Sequence, residues 1–374
     1  MNLFDVYSLY DIEPVIGRGN YVYTADGTKY MDLYGGHAVI SIGHSHPHYI
    51  SAVGRQLNRL GFYSNSVKNS LQEEFAELLG QACGYPGYSL FLCNSGAEAN
   101  ENAVKLASFH TGRAKVLAFS GAFHGRTSGA VALTDNPRIV SPFNTTDNVT
   151  FCEWGNIEEA RRLLSTEEYC AVIIEGIQGV AGIRVPDDEF MNKLSEEAHK
   201  YGTLVIADEI QSGYGRTGKF FAHQYSAMKP DIITCAKGIA NGFPMGAVLI
   251  SPDIEARKGM LGTTFGGNHL ACAAAIAVLE VMKQENLVEN AAEVGSYLMS
   301  MLGKRNAALN LRGRGLMIGF DVEGEAADVR KRLLFEQQVF TGGAGKSTVR
   351  LLPALSLTKE MAEDFVNRFD KLEL

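Results

Sequence analysis

Several features that would each settle a class of protein are scarce or missing here. Among 374 residues the longest uninterrupted apolar run, 270–279, stops at Glu280. A membrane-crossing helix needs about 20 such residues, so none is expected. The opening MNLFDVYSLYD has no basic stretch and carries Asp5 where the apolar centre of an export signal would sit. Positive charge is in deficit, with 34 Lys and Arg against 42 Asp and Glu and a net charge of -8. That leaves no basic footprint for a phosphate backbone, and nucleic acid is not an expected partner. The six cysteines, at 83, 93, 152, 170, 235 and 272, form no C-x-x-C pair and no metal-ligand spacing. Reduced thiols and a cytoplasmic location follow as the expectation.

What is abundant is glycine, at 40 residues against only 10 prolines. With no G-X-Y period and no low-complexity linker, the excess belongs to turns and close backbone approaches. At roughly 150 residues per domain the length suggests two or three domains. A chain of this size buries about three-quarters of its unfolded surface, ample for a substantial core.

Between residues 88 and 251 short apolar runs alternate with amphipathic stretches. The runs are YSLFLCN, KVLAFS, NVTFCEW, CAVIIEG, TLVIADEI, DIITCAKG and AVLIS. They are too short for helices and apolar on both alternations, as strands covered on both faces should be. The intervening DDEFMNKLSEEAHKYG repeats its apolar residues at helical spacing and ends at Gly202. This is the rhythm of an α/β fold with a mostly parallel central sheet. Ahead of it, YVYTADGTKYMDLY predicts a hairpin turning at Asp26 and Gly27. Behind it, a long helical region spans about 267–302, then strand-like pieces and a last helix from 359. The organisation expected is a large domain over 55–260 and a smaller α+β domain assembled from 1–54 and 261–374.

Ligands of open α/β sheets bind beyond the carboxyl ends of the strands. Four runs end there in reactive groups: Glu175, Asp208 with Glu209, Lys237, and Asn94 leading into Ser95-Gly96-Ala97-Glu98. Alone, Ser95-x-x-Glu98 merely starts a helix. At a strand end it also presents free backbone N–H groups and a positive dipole end to an anion such as phosphate. Lys237 alone could be a solvated lysine, but one desolvated in a cleft becomes an amine nucleophile. Asp208 could be a helix cap or a partner for a cationic ring nitrogen. A phosphate cradle, an amine and a buried carboxylate on one sheet edge are the parts a pyridoxal phosphate site needs.

Three other patterns carry less. Gly213-Tyr214-Gly215-Arg216-Thr217-Gly218 satisfies G-x-G-x-x-G and raises a dinucleotide-dependent oxidoreductase, but the following KFFAHQYSAMKP is too short for its helix and no acid lies about 20 residues on. Gly342 to Ser347 resembles a phosphate loop, except that Phe340 stands where the first glycine is required; a hairpin turn is expected instead. His44, His46 and His48 are read as turn and helix-start residues, not a metal cluster.

NSGAEANE (94–101), AFHGRT (122–127), ADEIQSGYGRTG (207–218), AKGIANGFPMGA (236–247), TTFGGN (263–268) and VRLLPAL (349–355) resemble the signature blocks of the class III, ornithine-type aminotransferases. The block from Gly17 to Pro47 is similar to that family's N-terminal segment, so the likeness covers nearly the whole chain. Within the family it is strongest to enzymes acting on N-acetylornithine or N-succinylornithine, with ornithine and GABA aminotransferases as alternatives. The resemblance implies the fold-type I architecture, pyridoxal 5'-phosphate as cofactor, an amino donor and 2-oxoglutarate as substrates, and a homodimer with shared active sites. Lys237 would hold the cofactor covalently and move the proton. Asp208 would pair with the ring nitrogen, Gln211 would lie by the ring 3'-oxygen, and Phe123 would stack on the ring. Ser95, Gly96 and Ala97 would hold the phosphate, joined by Thr264 of the neighbouring subunit. Arg126 and Thr263 would contact the acylornithine, and Arg350 would grip an α-carboxylate. One departure stands out. Where the family shows E-P-[IV]-Q-G-E this chain reads Glu175-Gly-Ile-Gln-Gly-Val180, so the glutamate that masks the arginine matching Arg350 is missing.

Overall fold

The computed structural model describes residues 1–374. The chain begins with three strands, β1 (Pro14–Arg18), β2 (Tyr21–Thr24) and β3 (Lys29–Asp32), the last two joined by the expected Asp26-Gly27 turn. The central strands follow: β4 (Ser89–Cys93), β5 (Lys115–Phe119), β6 (Val149–Cys152), β7 (Tyr169–Glu175), β8 (Leu204–Asp208), β9 (Ile232–Cys235) and β10 (Gly246–Ile250). All seven apolar runs are thus strands of one sheet, ordered β4-β10-β9-β8-β7-β5-β6. Only β10 runs against its neighbours, which makes the sheet mostly parallel. The C-terminal part adds β11 (Leu309–Arg314), β12 (Met317–Asp321), β13 (Val339–Phe340), β14 (Gly342–Ala344) and β15 (Thr348–Leu351).

Burial explains why the sheet forms where it does. Every residue of β7 is buried, as a central parallel strand with helices on both faces requires. The helix Gly96–Thr111 turns Ala99, Ala103 and Ala107 toward one face of the sheet. Small residues four apart let its axis approach closely, which brings its N-terminus to the carboxyl edge of the strands. The opposite face carries the main apolar cluster, anchored by fully buried Phe75, Phe119 and Phe221.

The two chain ends meet in one sheet, because β13 lies parallel to β3 in a sheet ordered β1-β2-β3-β13. A second small sheet is ordered β11-β12-β15-β14. The 267–302 region is two helices, His269–Gln284 and Leu287–Leu302, parted by Asn286 in a left-handed conformation. A helix also occupies Pro47–Leu57, capped by the His46 side chain and opened by Pro47. The three histidines diverge to separate carboxylates: His44 to Asp32 at 2.8 Å, His46 to Glu285 at 2.9 Å and His48 to Glu280 at 2.5 Å. These acids come from distant parts of the chain, which is why none is visible beside the histidines in sequence. The 213–218 glycines are packing contacts: a Cβ at Gly215 would crowd Val288 and Leu355, and one at Gly218 would strike Ala292. That loop has no room for a pyrophosphate. Gly342 to Ala344 pairs with β15, so the phosphate-loop lookalike is the expected hairpin.

Candidate active site

The carboxyl ends of β4, β7, β8 and β9 open into one cavity of about 300 Å³. Ser95, Gly96, Ala97, Phe123, Asp208, Gln211 and Lys237 all line it, together with Glu175 and Val180. Successive strand residues point to opposite faces, and the Asp208-Glu209 pair separates accordingly. Glu209 turns away and is consumed by His223, Ala222 and Ser212.

Asp208 is 4% exposed and nearly saturated with hydrogen bonds. Its Oδ2 accepts from His124 Nδ1 at 2.7 Å and from Asn100 Nδ2 at 2.8 Å, while Oδ1 accepts from the Ile210 N–H at 3.0 Å. Asn100 is fixed in turn by Thr234, whose hydroxyl donates to its Oδ1, and by the His124 carbonyl. A buried carboxylate hydrogen-bonded on both oxygens stays where it is put. His124, Asn100 and Thr234 were not singled out from sequence; the available signal was that His124 lies inside AFHGRT.

Lys237 lies two residues beyond the end of β9, opening a short 3-10 turn, and has φ +50°, a left-handed conformation rare outside glycine. Burial pulls its amine below the ordinary lysine pKa, and nearby Asp208 and Glu175 oppose that shift. The helix start below it is built as a cap: Ser95 Oγ accepts from Glu98 N–H at 3.2 Å, and Glu98 Oε2 accepts from Asn94 N–H at 2.7 Å. The N–H groups of Gly96 and Ala97, in the first turn, have no partner inside the helix. Gly96 packs directly on Ile210, where a Cβ would come within 2.9 Å of its side chain.

The remaining positions divide. Gln211 reaches the cavity and its Oε1 is buried without a partner. Arg350, in β15, is 6% exposed; its Nη1 donates to the Gly179 carbonyl at 3.0 Å and its Nε has no partner. No carboxylate pairs with it, and Val180 is 44% exposed at the cavity wall. Thr263 is held by Asn94 Nδ2 at 3.3 Å and by the Gly266 N–H at 3.0 Å. Arg126 and Thr264 are exposed and touch no other residue of this cavity by hydrogen bond. Thr264 adjoins Phe265, which pairs with Phe62 at 5.4 Å; both rings are exposed.

The model of the class III aminotransferase family matches residues 8–372. The chain is a class III aminotransferase. It is 41% identical over 353 residues to the acetylornithine aminotransferase of Archaeoglobus fulgidus, covering 94% of this chain and 92% of that one. It is 38% identical to the acetylornithine aminotransferase of Bacillus subtilis, covering 98% and 96%. Among solved structures, the ornithine aminotransferase of Toxoplasma gondii superposes with a TM-score of 0.92 at 28% identity, covering 99% of this chain and 93% of that chain. The acetylornithine aminotransferase of Elizabethkingia anophelis superposes at 0.88 with 31% identity, covering 99% and 96%. Both place this aminotransferase in the same α/β architecture.

Pyridoxal phosphate is the cofactor of this enzyme class, and the residues fit it chemically. The unpartnered Gly96 and Ala97 amides suit a phosphate, the fixed Asp208 carboxylate suits a cationic ring nitrogen, and the desolvated Lys237 amine suits an aldehyde. The unpartnered Gln211 Oε1 supplies a further polar contact in the same cavity.

Proposed function

We propose that this aminotransferase moves the δ-amino group of an N2-acyl-L-ornithine, the acetyl or succinyl form, to 2-oxoglutarate. The products are the N-acyl-glutamate 5-semialdehyde and L-glutamate. The observation that carries the chemistry is that the half-buried Lys237, with its lowered amine pKa, and the saturated Asp208 line one cavity. The curated relatives named acetylornithine aminotransferase carry the substrate.

When bound, pyridoxal phosphate joins the amino group covalently and takes up the electron pair left behind as the adjacent C–H proton departs. The protein does the rest. Lys237 Nζ, whose pKa burial lowers, would take that proton from the substrate carbon and return it across the shared nitrogen to the cofactor's former aldehyde carbon. Asp208, held by His124 and Asn100, retains a proton on the ring nitrogen, so the ring can accept charge. Phe123 would cover one ring face, and Gln211 would lie by the ring oxygen. Ser95, Gly96 and Ala97 fix the phosphate end, with Thr264 reaching in from a second copy. Arg126 and Thr263 bind the acylornithine, and Arg350 receives the carboxylate of glutamate or 2-oxoglutarate.

The working unit in this reading is a homodimer, divided in each copy into 55–260 and the flanking segments. Leu3, Phe4, Val6 and Tyr7 lie exposed in an N-terminal stretch, and the Phe62–Phe265 pair stands exposed beside Thr264. Apolar surface of that extent beside a site residue calls for a partner surface. Amino-donor half-reactions followed by cofactor absorbance test the proposal. Acetyl- or succinylornithine should react at least tenfold faster than ornithine or GABA; faster reaction with free ornithine would overturn the substrate assignment.

A further inference from the structure

Residues 35–38 form a left-handed turn, with φ of +56° at Gly35, +55° at Gly36, +68° at His37 and +65° at Ala38. Such a conformation costs an L-residue roughly 1–2 kcal/mol, so His37 and Ala38 hold it only because the surroundings impose it. Asp32 does much of this. Its Oδ1 accepts from the N–H groups of Tyr34 at 3.0 Å and Gly35 at 2.8 Å, and its Oδ2 is held by His44 at 2.8 Å.

The turn brings two side chains toward Arg350, whose Nη1 is bound to Gly179, the neighbour of cavity-lining Val180. Gly342 and Arg350 are cross-strand partners in β14 and β15. The Tyr34 ring occupies the space that a side chain at 342 would fill, next to the Arg350 stem. Its hydroxyl is hydrogen-bonded to His37 Nδ1, with the two rings edge to face at 4.7 Å. Burial raises the Tyr34 phenol above its ordinary pKa, so it keeps its proton and donates it to Nδ1. Burial, then the positive charges of Lys237 and Arg350, hold His37 below the usual histidine range. Its ring is therefore neutral near pH 7, and with Nδ1 accepting, the remaining proton sits on Nε2. Nε2 makes no hydrogen bond within the protein, and His37 is exposed.

We propose that His37 is a specificity-determining residue whose Nε2–H donates to the carboxylate received by Arg350, so that the oxo-acid end of the substrate meets one charged donor and one neutral donor. This rests on the reading of Arg350 as the carboxylate-binding group. The pairing makes chemical sense in this chain. Val180 supplies no acid to mask Arg350, and the guanidinium already lies close enough to Lys237 to lower its pKa. A neutral donor strengthens carboxylate binding without adding another positive charge beside Arg350.

The test uses the holoenzyme and glutarate, an unreactive dicarboxylate, titrated by the change in cofactor absorbance. His37→Gly removes the ring and relieves the positive φ, so loss of binding is not a folding effect; a thermal melt confirms that. Glutarate affinity should fall about tenfold or more, and KM for 2-oxoglutarate should rise in parallel. The half-reaction with acylornithine should change less than twofold. His37→Gln should recover part of the affinity, and Tyr34→Phe, which frees the ring tautomer, should weaken it about threefold. Unchanged glutarate affinity in His37→Gly overturns the proposal, as does an equal loss in the acylornithine half-reaction or a His37→Gln variant as weak as His37→Gly. Failure of the wild-type enzyme to react with any acylornithine would overturn the substrate assignment alone, since glutarate binding is measured independently of it.

Discussion

Asp208 and Arg350 are both ionisable and both more than nine-tenths buried, one lining the cavity and the other bound to Gly179 beside its wall, yet their surroundings are opposite in kind. Asp208 has His124, Asn100 and the Ile210 amide on its two oxygens. Arg350 has one backbone carbonyl and an unpartnered Nε. A saturated buried charge is part of the scaffold and serves a group that stays. An unsaturated one is a receptor, because its desolvation is offset only when a ligand arrives. In the proposed reading the saturated charge serves a resident cofactor and the unsaturated one a substrate that comes and goes.

The comparison breaks most severely at the saturated end. Asp208→Asn keeps the shape but loses the charge that retains the ring-nitrogen proton, so kcat should fall by on the order of 10²–10³. KM for 2-oxoglutarate should move far less, because Arg350 is untouched. A stopped-flow trace of each half-reaction separates the two. A variant in which KM rises while kcat holds would mean that Asp208 belongs to the substrate end after all.

The unsaturated end can be sharpened by restoring an acid. Val180 follows Gly179, whose carbonyl already accepts from Arg350. In Val180→Glu a carboxylate within reach of the guanidinium would compete with the substrate carboxylate. KM for 2-oxoglutarate should rise roughly three- to tenfold, the scale of a partly exposed charge pair, while the amino-donor half-reaction is spared. Equal KM values in variant and wild type would show that Arg350 does not receive the oxo acid.

The same contrast explains what was legible in the sequence. Strand ends were, because the carboxyl edge of a parallel sheet is fixed by local apolar runs; Asp208, Lys237 and the Ser95 cap were located that way. The support behind Asp208 was not, since Asn100 sits inside a helix and Thr234 inside a strand, and only packing of that helix on the sheet brings them together. His37 was hidden for another reason. Nothing in Tyr34-Gly-Gly-His37 announces a left-handed turn aimed at Arg350, and the cause lies in Asp32 and His44 on either side. Arg126 and Thr264 stand exposed in the single chain.

Glu175 lies between the two ends and tests whether they are electrostatically joined. It is 7% exposed, and its oxygens accept from the N–H groups of Phe123 and Gly179, both at 3.1 Å. Burial pushes its pKa up to about 7, with Asp208 adding to the rise and His124 opposing it. Below the ordinary carboxylate range Glu175 is protonated whether the chain is folded or not. Between that range and about pH 7 the folded chain holds a proton that the unfolded chain has released. Stability therefore falls as pH rises through this window, and the full penalty applies above it. Glu175→Gln does not titrate and also disturbs one of the two backbone hydrogen bonds, so it should be destabilising at pH 5. At pH 8 the wild type carries the buried charge, and the gap between the two melting temperatures should narrow or reverse. The change in their difference is worth up to roughly 3 kcal/mol, measurable by thermal denaturation of the cofactor-free proteins. A gap that stays constant from pH 5 to 8 would mean that Glu175 keeps its charge throughout, with the positive groups of the Arg350 end compensating its burial.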